Sequence, residues 1–219
     1  MTGQLTFDLP VRESHARGDF FVSGANALAV ARLDDCGGWP NGRLVLVGPE
    51  GAGKTHLAHV WATATGAVIL AGRELHPDRL APLTGATVVE DIDHLTTEGE
   101  VALFHLVNLA MQSGQLLLLT SRTPPARLGL ALADLRSRLE ATDLVRIDAP
   151  DDALLAAMLV KLFADRQIEV PPTLIQWMIP RMPRSFAETQ ALVAKLDSAA
   201  LAEKKPVTRD LARRILDTT

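Results

Sequence analysis

Between residues 43 and 65 a short apolar run, Arg43-Leu44-Val45-Leu46-Val47, ends in Gly48-Pro49-Glu50-Gly51-Ala52-Gly53-Lys54-Thr55 and then enters a segment of helical character. A buried strand that turns through glycines into a helix needs a sheet with cover on its faces. The chemistry of the loop is as constrained as its shape. Gly48, Gly51 and Gly53 accept backbone dihedrals closed to other residues and let consecutive N–H groups approach an anion. Lys54 adds a mobile cation for β- and γ-phosphates, and the Thr55 hydroxyl suits Mg²⁺. The helix N-terminus contributes its partial positive charge. The loop therefore predicts a phosphate cradle built from Gly48, Pro49, Glu50, Gly51, Ala52, Gly53, Lys54 and Thr55, with His56 next on the helix.

The rest of the chain supplies the sheet. Apolar runs at 67–70, 86–89, 115–120 and 144–147 follow the first, with helical segments between them. Over Glu100 to Gln112 the apolar residues Val101, Phe104, Leu106, Val107 and Met111 recur near helical spacing. Five continuous apolar strands separated by helices predict an α/β fold with a five-stranded parallel sheet and flanking helices. Beyond residue 150 the pattern contains no further strand. Asp151 or Asp152 is placed to cap a helix running to about Arg166, Pro171-Pro172 opens a second, and Ser185-Phe186-Ala187-Glu188 has capping-box spacing for a third. A fourth runs from Thr208 to Asp217. The expected organisation is a polar N-terminal arm over 1–18, an α/β domain over 19–149 and a small all-helical lid over 150–219.

A phosphate loop of this kind needs an acid at the end of a neighbouring strand. Val88-Val89-Glu90-Asp91-Ile92-Asp93 offers one, with Glu90 and Asp91 as the candidates for holding Mg²⁺ beside Thr55 or orienting a water. The run Gln115 to Arg122 ends in hydroxyls. Ser121 there could sense the γ-phosphate or simply form the turn before Pro124-Pro125. His56 and His59 stand three apart on the loop helix and read as packing residues, and His94 and His105 have no ligand partners at metal spacing.

With 47% hydrophobic and 22% charged residues over 219 positions, the chain has ample material for a core. No run approaches the ~20 apolar residues of a membrane span, and residues 1–18 carry no apolar signal region. Cys36 is the single cysteine and fits a reducing cytoplasm. The net charge of −4 argues against a chain that grips DNA by itself.

Together the phosphate loop, the acidic strand end, the hydroxyl-ended strand, an arginine-bearing helix and a helical lid resemble the AAA+ ATPases. More narrowly they resemble the DnaA replication-initiator family and its short regulatory paralogues. Four stretches carry the resemblance: Gly51 to His59; Thr120-Ser121-Arg122-Thr123-Pro124-Pro125; Leu128-Gly129-Leu130-Ala131-Leu132-Ala133-Asp134-Leu135-Arg136-Ser137-Arg138-Leu139; and an N-terminal Gln-Leu hexapeptide. The resemblance implies an AAA+ P-loop NTPase fold that binds ADP or ATP with Mg²⁺. It implies that Arg138 is a finger acting on the nucleotide of a neighbouring DnaA-type initiator subunit. It also implies that Gln4, Leu5, Phe7 and Leu9 bind the DNA polymerase sliding clamp. Because the chain ends after its lid helices, no sequence-specific DNA binding is expected; homo-oligomers are left open.

Two positions depart from the family pattern. Glu90 stands where aspartate is usual, so the roles of metal ligand and water-orienting base stay open between Glu90 and Asp91. The lid arginine of the family falls on Ala187, leaving Arg184 or Arg181 to reach the phosphates, or a weak intrinsic ATPase if neither does. A helicase-loader-like ATPase and a catalytically silent nucleotide-binding scaffold are the alternative functions.

Overall fold

A computed structural model describes residues 21–80 and 85–217. Its elements, in chain order, are α1 (Ala27–Asp34), β1 (Arg43–Val47), α2 (Lys54–Thr65), β2 (Val68–Ala71), β3 (Thr87–Glu90), α3 (Thr97–Ser113), β4 (Leu117–Ser121), α4 (Ala133–Glu140), β5 (Asp143–Arg146), α5 (Asp152–Asp165), α6 (Pro172–Met178), α7 (Phe186–Glu203) and α8 (Arg209–Leu216). The five strands form one parallel sheet in the order β2-β3-β4-β1-β5. The α/β fold expected from the sequence is the fold observed.

Strand β1 is buried along its whole length because both faces of the sheet are covered. Alternate side chains separate the two cores. Val45, Val47, Val89, Leu117 and Leu119 meet Leu103, Leu106 and Val107 of α3 and Leu135 and Leu139 of α4. Leu44, Leu46, Val88, Leu118 and Val145 meet Ala29 and Leu33 of α1 and Leu57, Ala58 and Trp61 of α2. In register, Leu44 pairs with Leu118 on one side and Asp143 on the other. β1 therefore lies between β4 and β5, and its C-terminal end opens the crevice where open α/β sheets place their ligands.

Helices α5 to α8 enclose a third core of Leu155, Leu159, Phe163, Leu174, Met178, Val193, Leu196 and Leu211. α6 begins at the Pro171-Pro172 pair, and the other three starts carry side-chain caps. Asp151 accepts from Leu154 N–H at 2.8 Å, Ser185 from Glu188 N–H at 3.4 Å and Thr208 from Leu211 N–H at 3.3 Å. No helix of the described residues is long and apolar enough to cross a membrane. Phe163 is sealed in this helical core, so Phe163→Ala should lower the unfolding free energy by about 3–5 kcal/mol, read from urea denaturation followed by circular dichroism.

Candidate functional site

The phosphate loop leaves β1 at Gly48 and returns to helix at Lys54. Gly51 and Gly53 carry φ of 75° and 98°, the left-handed region that favours glycine. Their missing side chains also matter. A Cβ at Gly51 would overlap Ser185 Oγ, and one at Gly53 would stand 2.9 Å from Phe186 Cε2. The lid thus closes directly on the loop. Phe186 N–H donates to the Gly51 carbonyl at 2.9 Å, and its ring stacks on His56 with 6.3 Å between centroids. Beside this contact a cleft of about 270 Å³ is lined by Lys54, Thr55, His56 and His59 from α2 and by Phe186, Ala187 and Gln190 from α7.

Lys54 is only 6% exposed. Its ammonium donates to the carbonyls of Gly48 (2.8 Å) and Pro49 (3.0 Å). Burial lowers its pKa, and the charges of Asp91 and Asp93 offset part of that. Both acids therefore act on the cation at the heart of the loop.

The acids divide the work among themselves. Glu90 Oε2 lies 3.5 Å from His59 Nε2, while Glu90 Oε1 is buried with no hydrogen-bond partner. A buried, unsatisfied carboxylate oxygen calls for a donor or a cation. With the Thr55 hydroxyl on the cleft wall, it is a hard oxygen donor of the kind Mg²⁺ takes. The described residues contain no group of three or more His, Cys, Asp or Glu able to hold a metal alone. Asp91 sits at φ 52°, and its N–H donates to Thr120 Oγ1 at 3.0 Å, which fixes the turn after β3.

Asp93 is the member the sequence reading did not single out. Its carboxylate accepts from Ser121 Oγ (2.9 Å), Arg122 N–H (2.8 Å), Thr123 N–H (3.1 Å) and Thr123 Oγ1 (3.0 Å). Burial raises its pKa, but these bonds outweigh burial and hold it below the ordinary aspartate value. Ser121, a candidate phosphate sensor, is engaged with Asp93 and with the Thr123 carbonyl at 2.5 Å. Arg122 bridges from the end of β4 to Glu50 of the loop at 2.8 Å. The only trace of this network in the sequence is the third acid following Glu90-Asp91, with hydroxyls at the end of the adjacent strand.

Neither lid arginine lines the cleft. Arg184 donates to the Pro150 carbonyl at 3.1 Å and pairs with Asp152 at 2.5 Å. Arg181 donates to the Trp177 carbonyl and lies over its ring, 4.6 Å from the centroid. Ala187 itself faces the cleft.

Arg138 lies elsewhere, on α4. The start of that helix is set by Glu100 of α3, whose buried carboxylate accepts from the N–H groups of Ala131 (3.1 Å) and Leu132 (2.8 Å). The Arg138 guanidinium rests over the Phe104 ring at 5.2 Å and reaches Met111 Sδ at 3.1 Å. It is not among the residues lining its own chain's cleft. Gln4, Leu5, Phe7 and Leu9 lie outside the described residues.

No family model matches the chain. Solved structures do. Domain III of the Thermotoga maritima replication initiation protein DnaA superposes with a TM-score of 0.83 at 18% identity, over 96% of this chain and 98% of that one. AMPPCP-bound DnaA from Aquifex aeolicus gives 0.66 at 18% identity, over 80% and 62%. The Holliday junction branch migration motor RuvB of Thermotoga maritima gives 0.64 at 20% identity, over 80% and 61%. At these identities the likeness concerns the fold alone: a five-stranded parallel sheet with flanking helices, a phosphate loop after β1 and a helical lid. Its fullest overlap among these three is with domain III of the initiator.

Because the native Asp93 pKa lies below its ordinary 3.8, its hydrogen bonds stabilise the fold above that pH and are lost as pH falls through the native value. Urea midpoints of the wild type and Asp93→Asn should therefore differ most at pH 7 and converge towards pH 3. A gap that stays constant across this range would show that the charged form contributes nothing.

Proposed function

We propose that this chain is a nucleotide-binding regulator of chromosomal replication initiation, of the kind represented by Hda, the regulatory inactivator of DnaA. It binds ADP or ATP with Mg²⁺ between its phosphate loop and lid. Residues 1–18 form an arm whose Gln4, Leu5, Phe7 and Leu9 engage the sliding clamp. Arg138 then acts in trans on ATP held by a DnaA-type initiator, and the loss of initiator ATP prevents re-initiation.

The observation that carries this reading is the place of Arg138. It stands apart from the cleft of its own chain, on neutral partners, at the end of a helix fixed by Glu100. A guanidinium so placed can meet a phosphoryl group brought by a partner and stabilise charge that develops on its oxygens as the γ-phosphoryl leaves. Related folds add support: AMPPCP is bound by the Aquifex aeolicus initiator, and a DnaA structure holds AMPPCP and single-stranded DNA.

At the chain's own site, the residues favour holding nucleotide over turning it over. Lys54 and the loop N–H groups bind the phosphates. Glu90 and Thr55 supply oxygens for Mg²⁺, and Asp91 is the acid left to orient water. The lid, however, presents Ala187 to the cleft and commits Arg184 to Asp152. With no lid cation to respond to the γ-phosphate, bound nucleotide serves mainly to fasten lid to loop. The same feature favours one other reading, a catalytically silent scaffold that uses nucleotide only for structure.

A reconstituted reaction with clamp-loaded DNA and ATP-bound initiator separates them. The wild-type chain should accelerate hydrolysis of initiator ATP, and Arg138→Ala should reduce that acceleration by about 10³-fold. Acceleration that survives the substitution, or never occurs, leaves the scaffold. In the same mixture Gln4→Ala should weaken retention of the chain on the clamp, measured by co-sedimentation. Retention on a replicative helicase and not on the clamp would indicate a helicase loader.

A further inference from the structure

A second cation touches the phosphate loop besides Lys54. Arg122, the first residue beyond β4, pairs through Nη1 with Oε2 of Glu50 at 2.8 Å. Strand pairing puts it there. Val47 is in register with Ser121, and Gly48 N–H donates to the Ser121 carbonyl at 3.1 Å, so Arg122 leaves the sheet where the loop does. On its other side β4 pairs with β3, which ends at Glu90. Arg122 therefore springs from the strand between the loop and the acids. At sites of this kind the metal bridges the β- and γ-phosphates, so the terminal phosphate lies on the acids' side of the loop.

The two ends of Arg122 are held differently. Its N–H donates to the Asp93 carboxylate, which also gathers Ser121 and Thr123, so the backbone is fixed. Its guanidinium is exposed, and among the described residues its partner is Glu50, a carboxylate that is more exposed still. An ion pair in that setting contributes little and is easily exchanged. A phosphate group offers the guanidinium fork the same bidentate geometry with more charge. Glu50 loses little on release, because water already reaches it. The Arg122 charge is felt at the heart of the loop: burial first lowers the Lys54 pKa, Asp91 and Asp93 oppose that, and Arg122 adds to it.

We propose that Arg122 is a terminal-phosphate contact supplied by the sheet, resting on Glu50 when a nucleoside diphosphate is bound and transferring to the γ-phosphate when a triphosphate is bound. The lid presents Ala187 to the cleft and commits its arginines elsewhere. Triphosphate is then told from diphosphate on the loop side, and Glu50 is the competitor that sets how strongly. The inference rests on the reading that the chain binds ADP or ATP between loop and lid.

The test is isothermal titration of the full-length chain with ADP and with AMPPCP, each with Mg²⁺, in wild type, Arg122→Gln, Arg122→Lys and Glu50→Gln. Thermal unfolding is recorded for each variant. Arg122→Gln should weaken AMPPCP about tenfold and ADP by less than about twofold, the loss expected for a charged hydrogen bond made to the terminal phosphate alone. Arg122→Lys should fall between wild type and Arg122→Gln, since the charge remains and the fork is lost. Glu50→Gln should act in the opposite direction and tighten AMPPCP about threefold, because it frees the guanidinium. A pair that merely pins the loop gives a different pattern: Arg122→Gln and Glu50→Gln then weaken both nucleotides alike, and the inference is overturned. Equal affinities of wild type and Arg122→Gln for AMPPCP overturn it as well. Should Arg122→Gln fail to fold, Glu50→Gln decides alone, tightened AMPPCP supporting the exchange and weakened AMPPCP refuting it. If the wild-type chain binds neither nucleotide, the nucleotide reading itself fails and this inference fails with it.

Discussion

The arrangement of the site depends on one constraint, the burial of β1 on both faces. A strand with a core on each side cannot shift register or tilt without exposing one of them, so its C-terminal end is a fixed point. From that point Gly48 starts the phosphate loop, Lys54 folds back on the Gly48 and Pro49 carbonyls, and β3 and β4 bring Glu90, Asp91 and Ser121 alongside. The other end of the same strand carries Arg43. One rigid rod thus runs from the phosphate loop at its tip to the sealed Arg43 guanidinium at its base.

The lid meets the loop at the end of this rod through one backbone hydrogen bond and close side-chain contacts. Phe186 N–H meets the Gly51 carbonyl, Ser185 fills the space a side chain at 51 would need, and the Phe186 ring lies across Gly53 and His56. Charge plays little part in this closure, since the lid arginines are engaged with Asp152, Pro150 and Trp177. Shape and backbone hydrogen bonding couple the lid to the loop, whereas a lid cation would couple it to the nucleotide's terminal phosphate.

Much of this was legible in the sequence because burial leaves periodic marks. β1 and α2 lie where apolar run and glycine loop place them, three of the four lid helices begin at residues whose side chains cap them, and α6 begins at the Pro171-Pro172 pair. The other four strands are displaced by one or two residues at their ends, where apolar content does not say which backbone groups pair. The site was legible where local chemistry is sufficient: Lys54, Thr55 and the acids after β3. It was not legible where the chain brings distant residues together. Nothing in the order of residues says that Asp93 will gather Ser121, Arg122 and Thr123, that Arg122 will span to Glu50, or that Arg184 will turn to Asp152. Arg43 opens an apolar run, and only the third dimension shows its guanidinium sealed without a hydrogen-bond partner.

The near-contact between Gly51 and Ser185 has a consequence for how such a chain can change over generations. Any side chain at 51 forces the lid to step back, and any enlargement at 185 presses on the loop, so the two positions must drift together or not at all. Ala187, two residues along and lining the cleft, carries no such restriction. A lineage could therefore exchange the residue at 187 in a single step and retain the closed contact between lid and loop. The grip of the lid on the loop and whatever the lid presents to the cleft can then change separately, the first tied to the 51–185 pair and the second to position 187.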